Sequence, residues 1–186
     1  VAHTFLQIVQ QLRQEVGASG TGPVSCQNQT GESKRLVDWV NAAWIDIQSV
    51  HEDWDWLRKP FTIQTVAGQP NYAATAAISG ITGKALTDFG IWKKSSIRCY
   101  DNALGYSNEM VMPWVDYEVY RNLYQYGNMR TTYARPVAMT IGPLRDLWLG
   151  PVPDASVSGY TIDGDYYSTP LPFVNDADTP PAAFPD

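Results

Sequence analysis

The chain has 186 residues, 44% hydrophobic, 17% charged and 12% aromatic, with 13 basic residues against 19 acidic ones for a formal net charge of −6. That length supports one domain or two small ones with a real core. The acidic balance argues against a protein that grips nucleic acid by its phosphates, yet it suits a surface that DNA slides past without sticking. Nothing approaches the roughly 18 consecutive apolar residues of a membrane span, so no membrane partner is expected. VAHTFLQIVQ lacks the basic region and cleavage site of a secretory leader. Cys26 and Cys99 are too few for a disulfide scaffold, and a bridge between them stays open. A reducing cytosol is the expected place of assembly. Seven Trp and eleven Tyr fit either an aromatic β-rich core or a surface that meets partners.

Residues 2–16 place Phe5, Ile8, Val9, Leu12 and Val16 on one helical face, with Gly17 as the stop. ASGTGP, 18–23, reads as a flexible joint. The stretch from Leu36 to Leu57 carries Leu36, Val40, Ala43, Ile47, Val50, Trp54 and Leu57 at spacings of three and four. It predicts one long helix, capped by Thr30 or Ser33 and ended by Lys59, because Pro60 disfavours helical geometry before it. With Trp39, Trp44 and His51 the apolar stripe is too wide for a single neighbour. Ile45 and Trp56 fall on its other face, which would suit a neighbouring subunit.

From Phe61 the period becomes two, and FTIQTV reads as a strand followed by a turn at Gly68–Asn71. Tyr72 starts a short strand, and 73–90 reads as irregular chain. Further strands are expected at 96–100, 109–112, 137–141, 146–150 and 158–167. PWVDYEVYRNLYQYG predicts a helix near 113–126 that begins at Pro113. From Ser168 onward Pro and Asp dominate and no element is predicted. The order gives an α+β fold: long amphipathic helices packed against an antiparallel sheet or small sandwich. The expected division is a helical part, 1–60, and a mainly β part, 61–186, packed as one structural unit.

Little here resembles a catalytic site. His51, at the edge of the buried stripe, reads as a core residue rather than a base. No pair of His or Cys has metal-ligand spacing. Glu52, Asp53 and Asp55 point different ways from a helix, so they do not converge as a glycosidase pair would. Asp163 and Asp165 lack the remaining ligands of a calcium loop, so Asp163-Gly164 reads as a bulge or turn. Asp176 and Asp178 read as a turn rich in side-chain-to-backbone contacts. Trp92 with Lys93 and Lys94, or Arg130 and Arg135, are too sparse for a nucleic-acid groove and read as surface or subunit contacts. No catalytic residue, cofactor or metal is expected.

Four pieces in order then carry a resemblance. They are KRLVDWVNAAWIDIQSVHEDWDWL before a strand, PWVDYEVYRNLYQYG, ARPVAMTIGPLRDLWLGPVPDAS, and GYTIDGDYYSTPLPFVNDADTPPAAFPD. Together, over residues 33–186, they resemble the head-to-tail adaptor (connector) proteins of tailed bacteriophages. The resemblance implies a structural virion protein of the neck. It implies a dodecameric homo-oligomer that joins the portal protein to a stopper or tail protein, with DNA passing through the bore and no sequence-specific contact. Candidate subunit-interface residues are Ile45, Trp56, Trp92, Arg121 and Tyr124. Trp148 and Tyr160 are expected to pack on the long helix. The alternatives are a carbohydrate-binding β-sandwich, for which Trp92 and Trp114 would serve, and a tail-tube or baseplate component.

Overall fold

The computed structural model describes all residues except 1, 2, 19, 21, 52, 156–158 and 182–186. Glu52, Ser158 and the closing Phe184-Pro185-Asp186 therefore lie outside the described residues. The chain divides into two compact units, one formed by Val1–Leu57 with Pro170–Asp186 and the other by Arg58–Thr169. The chain from Pro170 thus belongs with the helices, not with the strands that precede it.

In the first unit, α1 spans Phe5–Glu15 and α2 spans Gly31–Val50. Thr4 and Gln7 form a reciprocal capping box at the start of α1. Gly17, at φ +67°, takes the left-handed conformation that ends it. Thr30 is the N-cap of α2 through its extended backbone and makes no side-chain cap. On α2, Leu36, Val40, Trp44 and Gln48 are buried, a strict four-residue spacing along one face.

The helix stops at Val50, nine residues before the expected end at Lys59. The segment that follows carries Glu52, Asp53 and Asp55, and negative charge opposes the dipole at a helix C-terminus. Trp54 folds back instead, and its Nε1 donates to the carbonyl of Ile47 at 3.2 Å, serving one of the orphan carbonyls of the last turn. His51 is consequently an exposed C-cap residue with its ring on edge to Trp54 at 4.9 Å, not a core residue. Trp56 lies in the short turn Asp55–Leu57, not on α2.

The core of this unit is Phe5, Val9, Cys26, Leu36, Val40, Trp44 and Phe173. Phe173 stacks on Phe5 at 5.2 Å and on Trp44 at 5.0 Å. Asp178 closes the expected turn, its Oδ2 accepting from the amides of Val174 and Asn175 at 2.7 Å each. The carbonyls of Asp178 and Asp176 accept from the amides of Phe5 and Leu6, at 2.7 and 3.2 Å, so this turn also serves the open donors of α1. Cys26 is a free, buried thiol pushed up to about 11 by burial and by the adjacent Asp176.

The second unit is built on β9, Tyr160–Ser168. One edge pairs antiparallel with β1, Arg58–Gln64, over its whole length. The other edge takes β5, Arg98–Asp101, beside Tyr160–Asp163, and then β4, Phe89–Trp92, beside Tyr166–Ser168. The short strands β3, Ile78–Ser79, and β6, Met110–Val111, extend the sheet to the order β3-β1-β9-β5-β6. A second sheet has the order β2-β8-β7, from Asn71–Tyr72, Leu147–Gly150 and Ala138–Ile141. One cluster of buried residues joins the two sheets, including Phe61, Ile63, Trp92, Ile97 and Ile162 from the first and Tyr72, Met139, Leu147 and Leu149 from the second.

Several local expectations change here. Pro60 sits inside β1, paired with Asp165, rather than ending a helix. Gly164 is a mid-strand residue opposite Phe61, neither bulge nor turn. A Cβ there would stand 3.0 Å from Ile97 and 3.1 Å from Phe61, so glycine relieves a tight approach of both side chains to the strand. Asp165 accepts from Arg58 Nε at 2.9 Å, so its partner is a cation of the chain. β4 was not legible in 73–90. Its Gly90 approaches the Tyr167 carbonyl, 2.8 Å from where a Cβ would lie, which masks the alternating pattern.

The third helix, α3, runs only over Tyr117–Tyr124, capped by Asp116 through Glu118 N at 2.9 Å. Pro113 to Val115 stay extended beside β7, with Met139 N donating to Pro113 O and Val115 N to Met139 O. Trp148 meets Tyr117 and Tyr120 of α3, not the long helix. The fold class is α+β with antiparallel sheets, as expected.

Candidate subunit interface

The five interface candidates separate once placed. Trp92 is a correction: it is 2% exposed, set between Phe61 and Phe89, with its Nε1 donating to Arg145 O at 2.8 Å. A ring so enclosed meets neither a subunit nor a sugar. Tyr124 is half-buried and faces inward. Its ring covers Gly150, lying 2.4 Å from where a Cβ would sit, and packs on Tyr120 at 5.4 Å. Arg121 is exposed on α3, and Ile45 is half-buried on α2. Trp56 is half-buried and stacks on Trp54 with ring centroids 4.2 Å apart.

Two apolar surfaces stand out, one in each unit. In the helical unit, Ile8, Leu12, Trp39, Ala43, Ile47 and Phe173 contribute to an open groove of about 430 Å³ with an almost wholly apolar lining. Trp39 is 50% exposed at its rim, with the Arg35 guanidinium 5.3 Å from the ring centre. This is the uncovered part of the wide stripe on α2. Burial takes only the edge along Leu36, Val40 and Trp44.

In the strand unit, α3 is apolar on two sides. Tyr117, Tyr120 and Tyr124 turn toward the small sheet. Tyr120 is fully buried, its hydroxyl donating to Leu149 O at 2.8 Å, and burial raises its pKa. Val119 and Leu123 stand four residues apart on the outer side and stay exposed, and Tyr126, just past the end of α3, is exposed as well. The sequence reading picked the tyrosine face. The signal for the outer face was already present, since Val119 and Leu123 fall outside the tyrosine periodicity on an otherwise polar side.

The remaining chemistry is structural. Arg135 donates from Nη2 to Cys99 O at 3.0 Å and to Asn108 O at 2.7 Å, pinning β5 to the chain that leads into β6. Lys59 pairs with Asp88, which also accepts from Tyr166 at 2.9 Å. Burial opposes ionisation of Asp88, and those two hydrogen bonds outweigh it, so its pKa is lowered. Among the described residues no group of three or more His, Cys, Asp or Glu could hold a metal ion. Among them, too, no helix is long and apolar enough to cross a membrane.

Helices, antiparallel sheets, exposed apolar surface and ion pairs that tie strands together describe a structural protein. The family model described as SU10 adaptor protein matches residues 3–186. The chain belongs to that family and is a structural head-to-tail adaptor of tailed phages, placed in the neck of the virion, in agreement with the resemblance read from the sequence. No curated protein matches the chain.

Proposed function

We propose that this adaptor works as a closed ring, a dodecamer, that joins the portal protein to a stopper or tail protein. DNA passes through its bore without sequence-specific contact, and the ring assembles in the host cytoplasm. The observation that carries the ring is the pair of dissimilar apolar surfaces on one chain. A ring closes through heterologous contacts, which need two different patches per subunit. The groove rimmed by Trp39 and Ile47 and the exposed pair Val119 and Leu123 on α3 would supply two such patches. The net charge of −6 supports free passage of DNA, because like charge keeps the duplex from sticking.

The test is the mass of the purified protein with and without portal protein, read together with electron micrographs. The expected outcome is a ring of uniform stoichiometry, formed alone or on contact with portal. A monomer indifferent to portal would sink the proposal. Leu123→Asp sharpens it. Leu123 is half exposed, so the fold should change by less than about 0.5 kcal/mol while ring assembly is lost.

A further inference from the structure

The hairpin that joins β7 to β8 ends in Pro143, Leu144 and Arg145, and all three are exposed. Gly142 and Asp146 close it, with Gly142 N donating to Asp146 O at 2.8 Å. Arg145 N returns to Gly142 O at 3.0 Å, so Pro143 fixes φ at the first corner of a turn and Leu144 stands at the second. Arg145 itself is left-handed, at φ +60°. In a three-residue hairpin loop that position suits glycine best. The turn itself therefore requires neither an arginine there nor a leucine at its corner. Leu144 is 89% exposed, and Arg145 forms no ion pair among the described residues. The tip is nevertheless fixed. Arg145 O accepts from Nε1 of the buried Trp92 at 2.8 Å, and Arg145 Nη1 donates to Gly90 O at 3.3 Å. An apolar side chain and a cation are thus held side by side on a rigid point, which has little freedom to lose on binding.

We propose that this tip is a peg, and that it enters the open groove between α1 and α2 of a second copy of this chain. The proposal rests on the ring reading above and names one contact of that ring. Charge complementarity selects the occupant. The helical unit holds three basic residues, Arg13, Lys34 and Arg35, against ten acidic ones, so the chain's negative excess lies in it. Arg35 is already turned onto Trp39. Exposed acids stand three residues beyond a groove residue on each helix, Glu15 after Leu12 on α1 and Asp46 after Ala43 on α2, a spacing that keeps them on the groove side. An apolar socket with an acidic rim fits a leucine beside an arginine. The tip also lies beyond the N-terminal end of α3, because Tyr124 covers Gly150 while Tyr117 meets Trp148, so it adds to the α3 patch. One leucine and one cation make a weak contact between two free chains. In a closed ring every chain uses its peg and its groove at once, and the contacts reinforce one another.

Crosslinking and charge exchange on full-length chains test this. Chains carrying Leu144→Cys alone and Ala43→Cys alone, both at exposed positions, are mixed, assembled with portal protein and treated with a short bis-maleimide. The expected result is a product of one chain of each kind in the ring fraction and none in the monomer fraction. The unsubstituted chain, whose two cysteines are buried, serves as the blank. Leu144→Asp should leave the thermal midpoint of the isolated chain unchanged and raise the protein concentration needed for assembly at least about tenfold. Arg145→Glu should weaken assembly, and adding Asp46→Arg to the same chain should restore it. Rings that form without the mixed product, or that form from Leu144→Asp at the ordinary concentration, overturn the peg and leave the ring reading standing. An Arg145→Glu defect that Asp46→Arg deepens overturns the groove as its socket. If the unsubstituted chain forms no rings with portal protein, both readings fall.

Discussion

The two units solve the same problem by different means. The strand unit is one continuous segment, and its central strand β9 is paired on both edges, so backbone ladders and a joined two-sheet core hold it. The helical unit has a smaller core, seven buried residues among those described, and is discontinuous in sequence. One of its core aromatics, Phe173, arrives on a strap held by side-chain amides and carboxylates. The strand unit thus behaves as a scaffold, whereas the helical unit depends on a segment that has to be delivered.

The sharpest way to break the comparison is Phe173→Ala. It removes the ring stacked on both Phe5 and Trp44 and should cost about 4 kcal/mol in the helical unit alone. Hydrogen exchange should show α2 amides opening early while β9 amides keep their protection. Equal loss in both units would mean that they unfold as one. Ile162→Ala, at a fully buried position on β9, should cost about 3 kcal/mol and lower the denaturant midpoint of the strand unit.

Acid should act on the strap first. Hydrogen bonds from the Cys26 backbone and the Ser25 side chain lower the pKa of Asp176, and those from the Asn175 and Val174 amides lower that of Asp178. A depressed folded value means that the stabilisation is fully present above the ordinary carboxylate range near pH 4. It is lost as the pH falls through that range toward the folded values. Exchange of the Val174 and Asn175 amides, compared at pH 5 and pH 3 after correction for intrinsic rates, should show the strap loosening before β9 does. The smallest effect on the isolated chain is expected for Trp56→Ala, which should weaken ring assembly more than folding. A collapse of the monomer in thermal unfolding would instead assign Trp56, stacked on Trp54, to the fold.

Much of the local structure was legible. Capping residues and apolar spacing marked α1 and the body of α2, and alternation marked β1, β7, β8 and β9. The end of α2 was not, because the spacing of Trp54 and Leu57 continues the helical period although Trp54 in fact turns back to cap Ile47. β4 was hidden by Gly90, and Gly164 passed for a turn because the need for a missing side chain is set by Ile97 and Phe61, distant in sequence. Among the interface candidates, Arg121 was placed on the surface, while Trp92 and Tyr124 went to packing. Periodicity places a side chain on a face and does not say which face the rest of the chain will cover.

The sequence by itself determined the α+β class, the acidic surface and the adaptor family, since these rest on composition, short-range periodicity and the order of motifs. Only the tertiary structure decided that the segment after β9 belongs to the helices, that Asn41 and Gln48 read its backbone, and which apolar faces stay open. Those outcomes depend on contacts between residues distant in the chain, 132 positions for Asn41 and Phe173 and 29 for Tyr120 and Leu149, where no local pattern carries the information.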